Sequence, residues 1–145
     1  MQQGYPSTLT GLELVHACVT DPGCRREKNE DASGFFSGPA GSGAYLAVVA
    51  DGVGGTLAGE VASKLAVDTI GERFFADGDP GRATHALRDA IEAANQAIIA
   101  AAADEPRYAG MATTCTAAYV RGEDLVIGHI GDCRAYLVEQ ADIRR

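Results

Sequence analysis

The chain has 145 residues, enough for one domain with a real core, and its 46% hydrophobic and 22% charged residues place it among globular proteins. A net charge of −8 argues against nucleic acid as a partner, because a phosphate backbone needs a basic surface. No apolar run approaches the roughly 18 residues of a membrane span, and the opening MQQGYPSTLTG lacks the basic and apolar regions of a signal peptide, so no membrane partner is expected and the cytoplasm is the expected setting.

Residues 1–11 are expected to form a loose terminus. The segment 12–20 (LELVHACVT) predicts a strand, and 32–36 a second, short one. Turn material follows at 38–43 (GPAGSG). The apolar, β-branched run 44–50 (AYLAVVA) predicts a buried strand that ends at Asp51. The glycines of DGVGG break it. Helical spacing of Val61, Leu65, Val67, Ile70 and Phe74 predicts an amphipathic helix over 57–75. A second helix is predicted over 82–103, with Leu87, Ile91, Ala94, Ile98 and Ile99 on one side and Pro106 past its end. Strands are predicted at 112–120, 124–131 and 133–139, the first two joined by the RGED turn as a hairpin. Strands, two long helices, then strands is not the alternation of a doubly wound sheet. It fits an α+β architecture with helices packed on antiparallel sheets.

Cys18, Cys24, Cys115 and Cys133 show no CxxC spacing, so neither a zinc ribbon nor a thioredoxin-like site is suggested, and Cys18 and Cys115 are expected to be small core hydrophobes. His16 and His129 are expected in the core or on a sheet face, His85 on a helix surface, and Tyr119 and Tyr136 as strand packing.

Three segments carry chemistry. In DPGCRREKNEDA (21–32), Glu30 and Asp31 follow the basic residues Arg25, Arg26 and Lys28; alone, such a run is usually a solvated loop. In DGVGG (51–55), a very apolar strand runs into Asp51, a carboxylate costly to bury without a cation or donors, while the glycines let the backbone turn sharply. In GDCRAY (131–136), Asp132 sits in a tight turn, common for conformational reasons alone, with Arg134 nearby. Together they offer hard oxygen donors without a matching His or Cys set, which suits Mg²⁺ or Mn²⁺ rather than zinc. An arginine beside such a site suits phosphate, and the combination suggests phosphoryl chemistry.

These segments resemble the motifs of the PPM, or type 2C, metal-dependent protein phosphatases, bacterial branch. TDPGCRREKNEDA is similar to the opening motif, with Arg26 five residues before Asp31; VVADGVGGTLAGEVAS to the second; and MATTCTAAYVRGEDLVIGHIGDCRAYLV to the hairpin that ends in GDSRAY. The resemblance spans about 14–137, and three ordered motifs are far more specific than any one. It implies an antiparallel β-sandwich flanked by helix pairs. It also implies that Asp51 bridges two Mn²⁺ or Mg²⁺ ions and that the Gly52 carbonyl binds one of them. Glu30 and Asp31 would act mainly through water, Asp132 would help hold a third ion, and Arg26 would bind the substrate phosphate. By the same resemblance, a metal-bound hydroxide would attack phosphorus directly. The implied substrate is a protein carrying phosphoserine or phosphothreonine, placed there by an opposing kinase.

Val53 stands where many eukaryotic members have a histidine proposed as general acid, and Cys133 replaces the serine of GDSR, a change expected to alter local hydrogen bonding. Residues 12–145 are expected to be the N-terminal part of a catalytic domain. The family's later metal-binding acids have no counterpart here, so the sandwich is expected to be incomplete at the C-terminus and the chain alone weak or inactive. A strand left unpaired after Tyr136-Leu137-Val138 is expected to invite self-association or strand exchange through an open sheet edge. The competing expectation is a degenerate module that binds a phosphoprotein or regulatory partner without hydrolysis.

Overall fold

A computed structural model describes residues 14–24, 28–53, 58–76, 82–139 and 142–145. Strands β1 (Asp31–Ser37) and β2 (Ala44–Val53) form a hairpin, closed where the Gly38 N–H donates to the Ala44 carbonyl at 2.8 Å. Helices α1 (Ala58–Phe74) and α2 (Ala83–Asp104) follow, then a 3-10 turn at Pro106–Tyr108. The remaining strands are β3 (Ala112–Thr113), β4 (Cys115–Arg121), β5 (Asp124–Ile130), β6 (Leu137–Glu139) and β7 (Asp142–Arg144). All pairings are antiparallel, and the main sheet runs β1-β2-β4-β5 with β3 on the end of β2. The architecture is α+β, as the order of sequence patterns predicts.

The core lies between one face of this sheet and the two helices. Strand side chains alternate, so β2 sends Ala44, Leu46, Val48 and Ala50 inward. The register places Tyr119 beside Leu46 and Ala117 beside Val48, which continues the same buried face on β4. Helix α1 meets it with Ala62, Ala66, Ile70 and Phe74, and α2 covers α1 and β5 with Leu87, Ala90, Ala94 and Ile98. Ile99, predicted on the same side, is exposed, because one residue past Ile98 turns about 100° around the helix.

On the opposite face of the sheet, Val49, Leu125 and Ile127 are exposed. Near β1 an extended segment lies across it: the His16 ring stacks on Phe35 at 3.7 Å, Cys18 Sγ meets Ser33 Oγ at 2.8 Å, and Thr20 Oγ1 donates to Asp31 Oδ2 at 3.4 Å. The strand predicted over 12–20 is not formed within 14–20, and 12–13 lie outside the described residues. The contacts step by two through side chains, so they imitate the period of a strand without a backbone ladder. Val15 and Val19 point away from the sheet, and Cys18, predicted in the core, is exposed, whereas Cys115 is buried as predicted.

At the C-terminal end, the strand predicted over 133–139 shortens to β6 and pairs with β7, so it is not left without a partner. Tyr136 is exposed rather than packed, and Tyr119 is buried as predicted.

Candidate active site

The carboxylates of the first two motifs meet where β1 and β2 pair. Asp31 lies directly opposite Asp51, both on the face away from the helices. Like charges facing one another across strands are destabilising on their own. Asp31 is further fixed by its loop: its N–H donates to Asn29 Oδ1 at 3.0 Å, and Asn29 Nδ2 donates to Thr20 Oγ1 at 2.7 Å.

Glu30 joins three elements through its main chain. Its carbonyl accepts from the Gly52 N–H at 3.1 Å and from Ser63 Oγ, in the second turn of α1, at 2.6 Å. Gly52 is buried, and a β-carbon there would stand 2.1 Å from the Gly59 carbonyl oxygen and 2.6 Å from that of Glu30. Only glycine allows the end of β2 to come this close to the start of α1. The Glu30 carboxylate lies beside Gly59, 2.9 Å from where a β-carbon would sit.

Asp51 is half-buried, and its main chain is held by β3 and the residue that follows it. Its carbonyl accepts from the Thr114 N–H at 2.9 Å and from Thr113 Oγ1 at 3.0 Å, and its N–H donates to Thr114 Oγ1 at 3.0 Å. Asp132 is exposed on the loop after β5, next to Gly131, whose φ of +103° suits glycine. That loop is attached to the same threonine, with Cys133 Sγ 3.0 Å from Thr114 Oγ1. Burial, and secondarily the neighbouring Cys133, pushes the Cys115 thiol up to about 11.

An open cleft of about 410 Å³ runs beside Asp31, lined by Asp21, Cys24, Lys28 and Glu30 among others. Arg26, the predicted phosphate ligand, and its neighbours 25 and 27 lie outside the described residues, as do Gly54 and Gly55 of the DGVGG segment and the two residues after it. Among the described residues, no three His, Cys, Asp or Glu side chains converge into a ready-made cation site. The structure thus brings Glu30, Asp31, Asp51 and Gly52 to one junction, and ties the Asp132 loop to that junction through Thr114. The donor chemistry suits a hard cation: carboxylate and carbonyl oxygens, with two carboxylates opposed across the strands. Sequence reasoning missed Asn29, Ser63, Thr113 and Thr114, whose hydroxyl and amide groups hold the acids' backbone. Serines and threonines in or beside strands and helices carry no sequence signal of that role.

The chain belongs to the protein phosphatase 2C family, whose sequence model matches residues 25–144. The serine/threonine protein phosphatase PstP of Mycobacterium tuberculosis is 39% identical over 133 residues, covering 91% of this chain and 24% of that protein. The serine/threonine phosphatase stp of Listeria monocytogenes is 34% identical over 129 residues, covering 87% of this chain and 50% of that protein. A crystal structure of a bacterial serine phosphatase superposes with a TM-score of 0.78 at 39% identity, over 87% of this chain and 51% of that one. The catalytic domain of PstP in complex with two manganese ions superposes with a TM-score of 0.71 at 37% identity, over 85% of this chain and 50% of that one. The chain therefore spans a quarter to a half of the length of these relatives.

Proposed function

We propose that this chain supplies the Glu30–Asp31–Asp51 part of the active site of a metal-dependent protein phosphatase acting on phosphoserine and phosphothreonine. The observation that carries this reading is the Asp31–Asp51 pair, opposed at the ends of β1 and β2. A cation held there would offset the repulsion of such a pair, and the relative crystallised with two manganese ions has the same fold.

Asp51 and the Gly52 carbonyl would hold the ions directly, with Glu30 and Asp31 ordering water around them. Asp132, on the loop held by Thr114, would serve a third ion. When bound, Mn²⁺ or Mg²⁺ lowers the pKa of coordinated water and neutralises phosphate charge. Arg26 would bind and orient the phosphate through two parallel donors. The substrate would be a phosphoprotein, the product of a serine/threonine kinase. The apolar face of the sheet, rather than its edge, would carry self-association, because β6 has a partner strand and Val49, Leu125 and Ile127 are exposed.

A second reading, binding of a phosphoprotein without hydrolysis, is favoured by the lack of three converging ligand side chains among the described residues. One experiment separates the two. The purified chain, alone and extended to the length of its relatives, is titrated with Mn²⁺ by electron paramagnetic resonance and assayed on a phosphothreonine peptide. Weak or no turnover is expected of the chain alone and metal-dependent turnover of the extended chain, with Asp51→Asn weakening Mn²⁺ binding at least roughly tenfold. Arg26→Ala is expected to weaken inorganic phosphate binding by about 1.5–3 kcal/mol. Phosphopeptide binding without turnover in the extended chain would establish the binding module, and Mn²⁺ binding untouched by Asp51→Asn would remove the metal role.

A further inference from the structure

The ladder joining β2 to β3 and β4 departs from regularity at one position. Gly52 pairs with Thr113 on one side and Val49 with Thr116 on the other, in a common register that sets Asp51 against Thr114. In a regular hydrogen-bonded pair the two residues exchange both of their N–H···O bonds. Here the Thr114 N–H donates to the Asp51 carbonyl at 2.9 Å, but the Asp51 N–H donates to Thr114 Oγ1 at 3.0 Å. The carbonyl of Thr114 instead lies 2.9 Å from Thr113 Oγ1, whose one proton it shares with the Asp51 carbonyl. A side-chain hydroxyl has taken the place of a backbone acceptor at the residue that carries the central acid.

The same hydroxyl has a second partner. A threonine hydroxyl offers one donor and two acceptor positions. The Asp51 N–H occupies one acceptor position, and Cys133 Sγ, 3.0 Å away, takes the donor or the other acceptor. The Thr114 methyl carbon would stand 2.8 Å from a β-carbon at Gly131, so the side chain also packs on the residue that precedes Asp132. Thr114 is itself buried, at 7% exposure, so water does not compete for these bonds.

We propose that Thr114 is a positioning residue that couples Asp51 to the loop carrying Asp132, with the Cys133 thiol as the second half of the coupling. Through one oxygen it fixes the depth of Asp51 at the end of β2 and the approach of the 131–133 loop. Displacing either arm changes the separation between the two acids. The inference rests on the metal-dependent reading for its functional consequence, while the coupling itself is independent of any ion.

The test uses Thr114→Val, which keeps the shape and removes the hydroxyl, and Thr114→Ser, which keeps the hydroxyl. Amide hydrogen exchange is followed at Asp51 and Asp132, and alkylation by iodoacetamide at Cys133, without metal. Thr114→Val is expected to speed Asp51 exchange and Cys133 alkylation at least roughly tenfold, and Thr114→Ser to restore both toward the unsubstituted values. With metal, Mn²⁺ affinity measured by electron paramagnetic resonance is expected to fall roughly 10- to 100-fold in Thr114→Val and to recover in Thr114→Ser. Unchanged exchange and alkylation in a folded Thr114→Val overturn the coupling. Altered exchange with unaltered Mn²⁺ affinity overturns the positioning role alone. An unsubstituted chain that binds no Mn²⁺ overturns the metal-dependent reading and leaves the coupling to be judged on exchange. If Thr114→Val does not fold, Cys133→Ala decides: faster exchange at both Asp132 and Asp51 supports the coupling, and Asp51 exchange left unchanged overturns it.

Discussion

Gly52 has no room for a side chain. Its α-carbon faces the Gly59 carbonyl and the Glu30 carbonyl, both backbone groups that cannot rotate aside. Gly52→Ala must therefore shift α1 or break the Gly52–Glu30 hydrogen bond, and the expected cost is about 1–3 kcal/mol or more. A urea-denaturation midpoint measures it, and an unchanged midpoint would show that the junction gives way freely. Gly59→Ala should be milder, because its nearest neighbour is the movable Glu30 carboxylate at 2.9 Å. The DG motif was legible in the sequence as a place where the backbone must come close to something. What it comes close to was not, since Gly59 and Glu30 reach it only through the fold. The Asp31–Asp51 opposition was hidden for a similar reason: each acid is visible in its own motif, but their pairing depends on the β1–β2 register.

At the scale of elements, periodicity placed both helices, β2, β4 and β5 within a few residues, because each buries one face and so repeats with its own period. The same logic predicts how substitutions divide. Ile70 on α1 is fully buried, and Ile70→Ala should cost about 2–5 kcal/mol. Ile99 on α2 is 53% exposed, and Ile99→Ala should stay within about 0.5 kcal/mol. Thermal unfolding of the two variants checks the contrast; equal losses would mean that the exposed flank of α2 is covered in solution. Periodicity failed where contact does not run through the backbone. Residues 14–20 alternate like a strand because His16, Cys18 and Thr20 each touch the sheet, yet the segment makes no ladder. It failed again at Thr114, where a hydroxyl standing in for a carbonyl interrupts what the sequence shows as one continuous strand.

For the whole molecule, the asymmetry of the sheet matters most. One face is closed by two helices, whereas the other exposes Val49 on β2 and Leu125 and Ile127 on β5, with β4 between them. Exposed apolar side chains on one face favour association, and the net charge of −8 opposes it weakly once salt screens the repulsion. Sedimentation velocity at physiological salt should show a mass that rises with concentration, and Ile127→Lys should return the chain toward a monomer. A monomer at every concentration before substitution would end this expectation. Composition and charge in the sequence pointed to a globular chain, but no residue count could reveal that the exposed apolar side chains share a face.

The order β1-β2-β4-β5 also governs how the site comes into being. Ala44 pairs with Arg121 and Val49 with Thr116, so both helices must be spanned before β2 finds β4. Closing so long a loop costs entropy that only the finished pairing recovers, and sheets built on distant partners form slowly. The β1–β2 hairpin can oppose Asp31 and Asp51 early, from neighbouring sequence alone. The clamp of Thr114 on Asp51 can appear only when the long-range pairing closes, so in refolding the carboxylate pair and its anchor should be separated in time.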